Sequence, residues 1–248
     1  MEDKDLFNKI ALKYAQKDIY PVSRTVRKFQ VETLIGMIPD INNRIFDNII
    51  EIGCGNGANS VYLKKYYRKY TGADFSVELI EIAKKYYTDK NTCFICEDIK
   101  NIKPSGFDLI VGIGVLHHLP NLNEYLEHIT KISNKDPFFI FLEPQGQNPF
   151  IRILRSVRKL VDSSYSKTQR FFSKKDLVNA FEKADLEVIK IKYTGYFSPP
   201  FAQVIVKPAF IFLPLVKLLM IADLFIQKFF PNCLSWNLSA AARRKSED

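Results

Sequence analysis

The 248-residue chain predicts an α/β fold, a doubly wound and mostly parallel sheet with helices on both faces. Three observations carry that expectation. Between residues 48 and 193, short runs rich in Ile, Val and Phe alternate with stretches of helical periodicity, the pattern of strand–helix–strand crossovers. The first run, Ile49-Ile50-Glu51-Ile52, feeds straight into glycines at alternate positions, Gly53, Gly55 and Gly57, where backbone can approach a ligand with no Cβ in the way. Carboxylates, Asp74 and Asp98, then end the second and third runs, on the edge where open α/β sheets bind ligands.

From Asp5 to Asp40 two helices are expected, one with Leu6, Phe7, Ile10, Ala11 and Tyr14 on a single stripe, the next following Pro21 with Val22, Val26 and Phe29. Beyond the glycines, Ala58, Val61, Tyr62 and Tyr66 keep helical spacing, so the turn is expected to open a helix whose free N–H groups face a polar ligand. Ser76 is placed to cap a helix over Leu79, Ile80, Ala83 and Tyr86-Tyr87. Asn121, with Glu124 three residues on, is placed to cap another over Leu122, Tyr125, Leu126, Ile129 and Ile132. Phe107 to Ile113 is a fourth strand, and the continuous apolar run Phe138 to Leu142, ending at Glu143-Pro144, is a buried fifth. Ser173 with Asp176 starts the next helix, and Leu186 to Tyr193 is the sixth strand.

Two segments break this rhythm. Residues 146–172 carry a basic amphipathic helix, with Phe150, Ile151, Ile153, Leu154, Val157 and Leu160 set against Arg152, Arg155, Arg158 and Lys159, and are expected to form a lid. Residues 198–231 hold apolar blocks interrupted by Lys207, Pro208, Pro214, Lys217, Asp223 and Lys228, which disfavours a membrane-spanning helix. Two apolar helices are expected there, lining a greasy substrate pocket, resting on a membrane surface, or packing plainly on the core. The chain reads as one domain: a helical cap over 1–44, a core sheet over 45–195 and 234–245, the lid at 146–172 and the apolar insertion at 198–231.

A dinucleotide turn wants G-x-G-x-x-G, whereas here the third glycine comes one place early. The pattern E-x-G-x-G-x-G from Glu51 resembles motif I of the class I S-adenosylmethionine-dependent methyltransferases. The stretches around Asp74, Asp98 and Phe107 to Leu119 fit the same family in order, with the resemblance running from Phe46 to Tyr193. It implies S-adenosyl-L-methionine as cofactor, S-adenosyl-L-homocysteine as product, and a Rossmann-like sheet of seven strands. The last strand, drawn from Ser235 to Lys245, would insert antiparallel beside the fifth, although its alanine-rich end has the propensity of a helix. On the family's pattern, Glu51, Gly53, Cys54, Gly55, Asn56 and Gly57 form the cofactor turn. Asp74 would accept the ribose hydroxyls and Asp98 would read the adenine amine, with Phe75 and Ile99 beside them among the cofactor-binding residues, and Gly112, Ile113 and Gly114 would lie in the loop over the methionine part. Leading helices of the family fold over the cofactor cleft, which makes Tyr14, Tyr20 and Arg24 candidates for closing the site on the acceptor, with simple packing as the other reading of each.

Methyl transfer from a sulfonium asks mainly for positioning and exclusion of water, with a base where the acceptor must lose a proton. His117 and His118 follow the fourth strand at the ligand edge, and a histidine of ordinary pKa, about 6.5, can take a hydroxyl proton at neutral pH. His118 is the first choice as base, against packing beneath the loop before Pro120. Glu143 either orients substrate or holds that loop. Cys93 and Cys96, three apart on a strand, point to opposite faces and share no ligand, so no metal is expected.

The net charge of +9 fits a solvated basic surface better than a nucleic-acid patch, because its lysines and arginines are scattered. Four cysteines and a polar N-terminus, Met1-Glu2-Asp3-Lys4-Asp5, point to a reducing, cytoplasmic setting, with peripheral membrane contact through the apolar insertion as a further expectation. An Asn/Asp-Pro-Pro-aromatic stretch, common in family members that methylate base amino groups, is replaced after the fourth strand by Gly112-Ile113-Gly114-Val115. A small acceptor, lipophilic or isoprenoid-linked, is therefore favoured, methylated on O, N or C. The alternatives are an NAD(P)-dependent oxidoreductase, against which the early third glycine and Asp98 weigh, and a non-catalytic cofactor-binding or membrane-docking protein.

Overall fold

The computed structural model describes residues 2–161, 170 and 172–245. Two helices lead, α1 (Glu2–Ile19) and α2 (Pro21–Ile35), and then strands and helices alternate. In chain order they are β1 (Phe46–Ile52), α3 (Ser60–Leu63), β2 (Tyr67–Asp74), α4 (Val77–Tyr87), β3 (Thr92–Cys96), β4 (Phe107–Ile113), α5 (Leu122–Ile132) and β5 (Ser133–Pro144). They are followed by α6 (Pro149–Val161), α7 (Lys174–Lys183), β6 (Leu186–Thr194), α8 (Ala209–Ile226) and β7 (Asn237–Arg244). The seven strands form one sheet in the order β3-β2-β1-β4-β5-β7-β6. The first five run parallel, and β7 lies antiparallel to both of its neighbours.

Continuous apolar strands follow from cover on both faces. Successive residues of β5 serve opposite cores: Phe139 and Phe141 pack with Ile50, Ile52, Leu126 and Phe181, while Phe138, Ile140 and Leu142 pack with Ile49, Leu109 and Tyr70. The alanines of β7 sit in register with the large residues of β5, Ala240 beside Phe141 and Ala242 beside Phe139, so small side chains leave room for rings on the same face. Cross-strand packing thus overrides the helical propensity of Ala240-Ala241-Ala242.

Local chemistry sets several boundaries. The Ser76 hydroxyl accepts from the Leu79 N–H at the start of α4, and Ser173 with Asp176 makes a reciprocal capping box on α7. Asn121 departs from expectation: its side chain makes no cap bond and instead donates to Glu124 Oε1 at 3.1 Å. The helix expected after the glycines is only the single turn α3, continued by a 3-10 turn over Lys64–Tyr66. Tyr66 and Tyr67 are both buried as the chain enters β2, so residues that looked like a helix face are spent on the strand approach.

The insertion after β6 also differs from expectation. In place of two helices it holds a 3-10 turn, Pro199–Ala202, and one continuous helix, α8, with Pro214 inside it. The proline forfeits one backbone bond early in the helix, and the helix continues past it, packed on α2 through Val22, Val26 and Val216. By length and composition α8 is apolar enough to cross a membrane. The expected lid contributes α6, and residues 162–169 and 171, with the side chains of Arg155, Val157, Arg158, Lys159 and Leu160, lie outside the described residues.

Candidate functional site

The strand order reverses between β1 and β4, and at that switch point the carboxyl ends of β1, β2, β4 and β5 bring together the glycine turn, Asp74, the 114–118 loop and Glu143. Two of the three glycines are demanded by packing. All three have positive φ, and a Cβ on Gly53 would stand 2.5 Å from Val115 Cγ2, while one on Gly57 would stand 2.6 Å from the Phe94 ring. A Cβ on Gly55 would instead meet only Tyr14, at 3.7 Å, so the middle of the turn is the part left open beneath α1.

Asp74 ties the tip of β2 to that turn. Its Oδ2 accepts from the Gly55 N–H and its Oδ1 from the Ser76 N–H, each at 2.9 Å. Burial raises its pKa, opposed by those backbone bonds and by the nearby His118. Each carboxylate oxygen keeps a further acceptor position, so hydroxyls arriving from a ligand can still be bonded. Asn56 supplies the complementary group: its Oδ1 accepts from the Ala58 N–H, and its Nδ2 is a buried donor with no partner among the described residues.

Glu51 lies under the turn and is fully buried. Asn59 Nδ2 donates to its Oε1 at 2.7 Å and the Tyr70 hydroxyl donates to its Oε2. Desolvation outweighs those bonds and lifts its pKa to about 7. Burial likewise pushes the Cys54 thiol well above its ordinary range.

Glu143, at the end of β5, holds the 114–118 loop. Its carboxylate accepts from the N–H groups of Val115, Leu116 and His117, at 3.0, 2.8 and 3.3 Å, and from His117 Nδ1 at 2.6 Å. Glu143 is fully buried and these four bonds all turn to the loop, the arrangement that the loop role asks for. His117 is buried with it, whereas His118 is half-buried, its ring 4.2 Å from that of His117.

The α1 helix lies over this edge. Phe7 sets its ring edge-on to Phe75 at 6.1 Å and His118 at 5.4 Å, Asn8 Oδ1 accepts from the Ser76 hydroxyl at 2.7 Å, and Tyr14 covers Gly55. Phe7 and Tyr14, seven residues apart and therefore on one helix face, were visible as a stripe, but nothing local marked Asn8 or the Tyr70 and Asn59 clasp on Glu51. The remaining candidates scatter. Asp98 is exposed, two residues past β3, accepting from the Lys100 N–H at 2.9 Å and from the Tyr125 hydroxyl at 3.4 Å, with Ile99 buried beside it. Gly112 and Ile113 end β4 and Gly114 turns into the loop with φ of 67°. Tyr20 packs toward the α2–α8 cluster, and Arg24 is exposed on α2, its carbonyl accepting from the Tyr62 hydroxyl at 3.5 Å.

Sheet order, antiparallel seventh strand, glycine turn and β2 carboxylate together define a Rossmann-like protein of the class I S-adenosylmethionine-dependent methyltransferase type. The chain belongs to the methyltransferase domain family, whose model matches residues 21–191. Among curated proteins it is 24% identical over 123 residues to a probable S-adenosylmethionine-dependent methyltransferase of Saccharomyces cerevisiae, a match covering 46% of this chain and 42% of the relative. It is 32% identical over 78 residues to the ubiquinone biosynthesis O-methyltransferase of Coxiella burnetii, covering 30% of this chain and 33% of the relative. The chain therefore matches less than half the length of either. Solved structures are similar along almost the whole fold: a SAM-dependent methyltransferase of Thermotoga maritima (TM-score 0.69, 18% identity, 98% of this chain and 100% of the other) and the magnesium protoporphyrin IX methyltransferase of Synechocystis PCC 6803 with bound SAH (0.66, 12%, 98% and 97%). At these identities the likeness is one of fold. The orphaned Asn56 donor, the open Gly55 and the acceptor positions left on Asp74 fit an adenosyl cofactor with an amino-acid end.

Proposed function

We propose that the chain is an S-adenosylmethionine-dependent methyltransferase acting on a small, lipophilic acceptor. The observation that carries the reading is the 2.9 Å bond from the Gly55 N–H to Asp74, which welds a side-chain-free bend to a carboxylate at the next strand tip. Family membership supports methyl transfer over the oxidoreductase alternative. When bound, the cofactor supplies an electrophilic methyl group on a sulfonium. In this reading Gly53 to Gly57 cradle its amino-acid end with Asn56 Nδ2 as donor, Asp74 accepts the ribose hydroxyls, and Phe75, Asp98 and Ile99 flank the base. Phe7 and Tyr14 on α1 exclude water from above, and acceptor and donor are held in line between α1 and the 114–118 loop. His118, facing Phe7 and Asp74, takes the proton of a hydroxyl acceptor, while Glu143 and His117 position its loop.

A lipophilic acceptor is supported by the exposed apolar surface of residues 204–230 and by the names of two relatives, the ubiquinone biosynthesis enzyme above and the phthiotriol/phenolphthiotriol dimycocerosates methyltransferase of Mycobacterium tuberculosis, 22% identical over 104 residues. A cytoplasmic site of action with peripheral membrane contact belongs to the same reading. The test is turnover of methyl-labelled donor with cell extract split into lipid and aqueous fractions. Label is expected in the lipid fraction. Label confined to the aqueous fraction overturns the acceptor class, and absence of donor binding in calorimetry overturns the function.

A further inference from the structure

Of the eighteen residues of α8 only Val216 and Asp223 are buried, although its mean hydropathy is 2.3. Ile211, Leu218, Ile221 and Phe225 recur at helical spacing along the outward line, which continues past the helix end to Phe229, and Leu218 and Phe225 are each 63% exposed. Contiguous apolar surface of this kind marks a contact with something apolar. Charge on the same segment has one sign on the outside. Lys207, Lys217 and Lys228 are exposed, whereas the single carboxylate, Asp223, is turned inward. It accepts there from the N–H groups of Tyr196, Phe197 and Ser198, at 2.9, 2.9 and 3.1 Å, and from the Ser198 hydroxyl at 2.6 Å.

That clasp fixes the orientation of the helix. Lifting α8 off α2 to span a bilayer would strand three amides and a carboxylate that now satisfy one another, a heavier cost than leaving the helix in place. We propose that α8 and the Phe229-Phe230 corner form an in-plane docking face for a membrane leaflet that carries anionic lipids. The apolar line sinks among the upper acyl chains, and the lysines, bordering it, reach back to lipid phosphates. A second copy of the chain is the poorer occupant, because two-fold pairing would set lysines against lysines with no exposed acid on the segment to answer them. Through α2, α8 is packed to α1, the helix over the glycine turn, so the docked leaflet is coupled to the cover of the site. The inference deepens the lipophilic-acceptor reading and rests on it only for the use made of the surface.

Vesicle binding needs no methyl donor, so its failure is distinct from failure of methyl transfer. The 248-residue chain is sedimented with vesicles of phosphatidylcholine alone and of phosphatidylcholine mixed with phosphatidylserine. Sedimentation is expected with the mixed vesicles and should weaken as salt is raised. Leu218→Ser with Phe225→Ser, both at exposed positions, should lower partitioning by roughly ten-fold or more, and Lys217→Glu with Lys228→Glu should remove the preference for phosphatidylserine. Melting temperatures equal to wild type confirm that either variant is folded. Absence of wild-type binding to mixed vesicles, equal binding by the apolar variant, or a wild-type dimer that ignores vesicles and becomes monomeric in that variant each overturns the proposal.

Discussion

Replacing Glu51 by glutamine tests the clasp beneath the glycine turn. The carboxyl is fully buried, with Asn59 and Tyr70 donating to its two oxygens, and burial lifts its pKa from 4.5 to about 7. A folded-state pKa above the unfolded one means that the protonated acid is favoured by folding. Its contribution is therefore fully present below about pH 4.5, declines as pH rises, and is lost once pH passes about 7. At 1.36 kcal/mol per unit the swing is about 3 kcal/mol. In Glu51→Gln the new side chain would keep the shape, accepting from Asn59 through its amide oxygen and facing the Tyr70 oxygen with its NH2, but it cannot ionise. Thermal unfolding of both proteins from about pH 5 to about pH 8 should show the variant gaining on wild type as pH rises, by roughly 6 to 12 °C in Tm for a chain of this size. A gap between the two that stays constant across that range refutes the ionisation as described.

Asp74→Ala removes the acceptors at the tip of β2 and should weaken S-adenosylmethionine binding by about ten- to a hundred-fold, read by calorimetry, with unchanged affinity overturning the ribose assignment. His118→Ala should slow transfer to a hydroxyl acceptor while leaving cofactor affinity alone, and turnover equal to wild type removes it from the reaction. Glu143→Ala removes at once the acceptor that three loop amides and His117 Nδ1 now share, so denaturant unfolding should report a loss of about 3 to 5 kcal/mol; a loss under about 1 kcal/mol would mean that the loop holds itself.

Much of the ligand edge was legible because it is encoded locally. Alternate glycines directly after an apolar run leave few conformations other than a tight turn, and Ser76 and Ser173 mark helix starts through their own hydroxyls. The family pattern foretold the seventh strand against the propensity of its alanines, and its reason appears only in register, where Ala240 and Ala242 each stand beside a phenylalanine of β5. What stayed hidden depends on partners far away in the chain. The helix after the turn shrank because Tyr66 and Tyr67 are claimed by the core under β2, and Pro214 failed to divide α8 because α2 supports the helix across it. Tyr20 and Arg24 stood beside Tyr14 as candidates, yet only Tyr14 lies on α1 with Phe7, since the first helix ends at Ile19 and Tyr20 turns toward the α2–α8 cluster.

The placement of β7 between β5 and β6 has a consequence for synthesis. Until Arg244 has emerged from the ribosome, β5 presents a bare hydrogen-bonding edge and β6 has nothing to pair with, so a nascent chain translated through Thr194 must wait some fifty residues, α8 included, before its sheet can close. During that interval two unsatisfied borders and an oily helix are presented together. Chaperone engagement should therefore concentrate on ribosomes paused between these points.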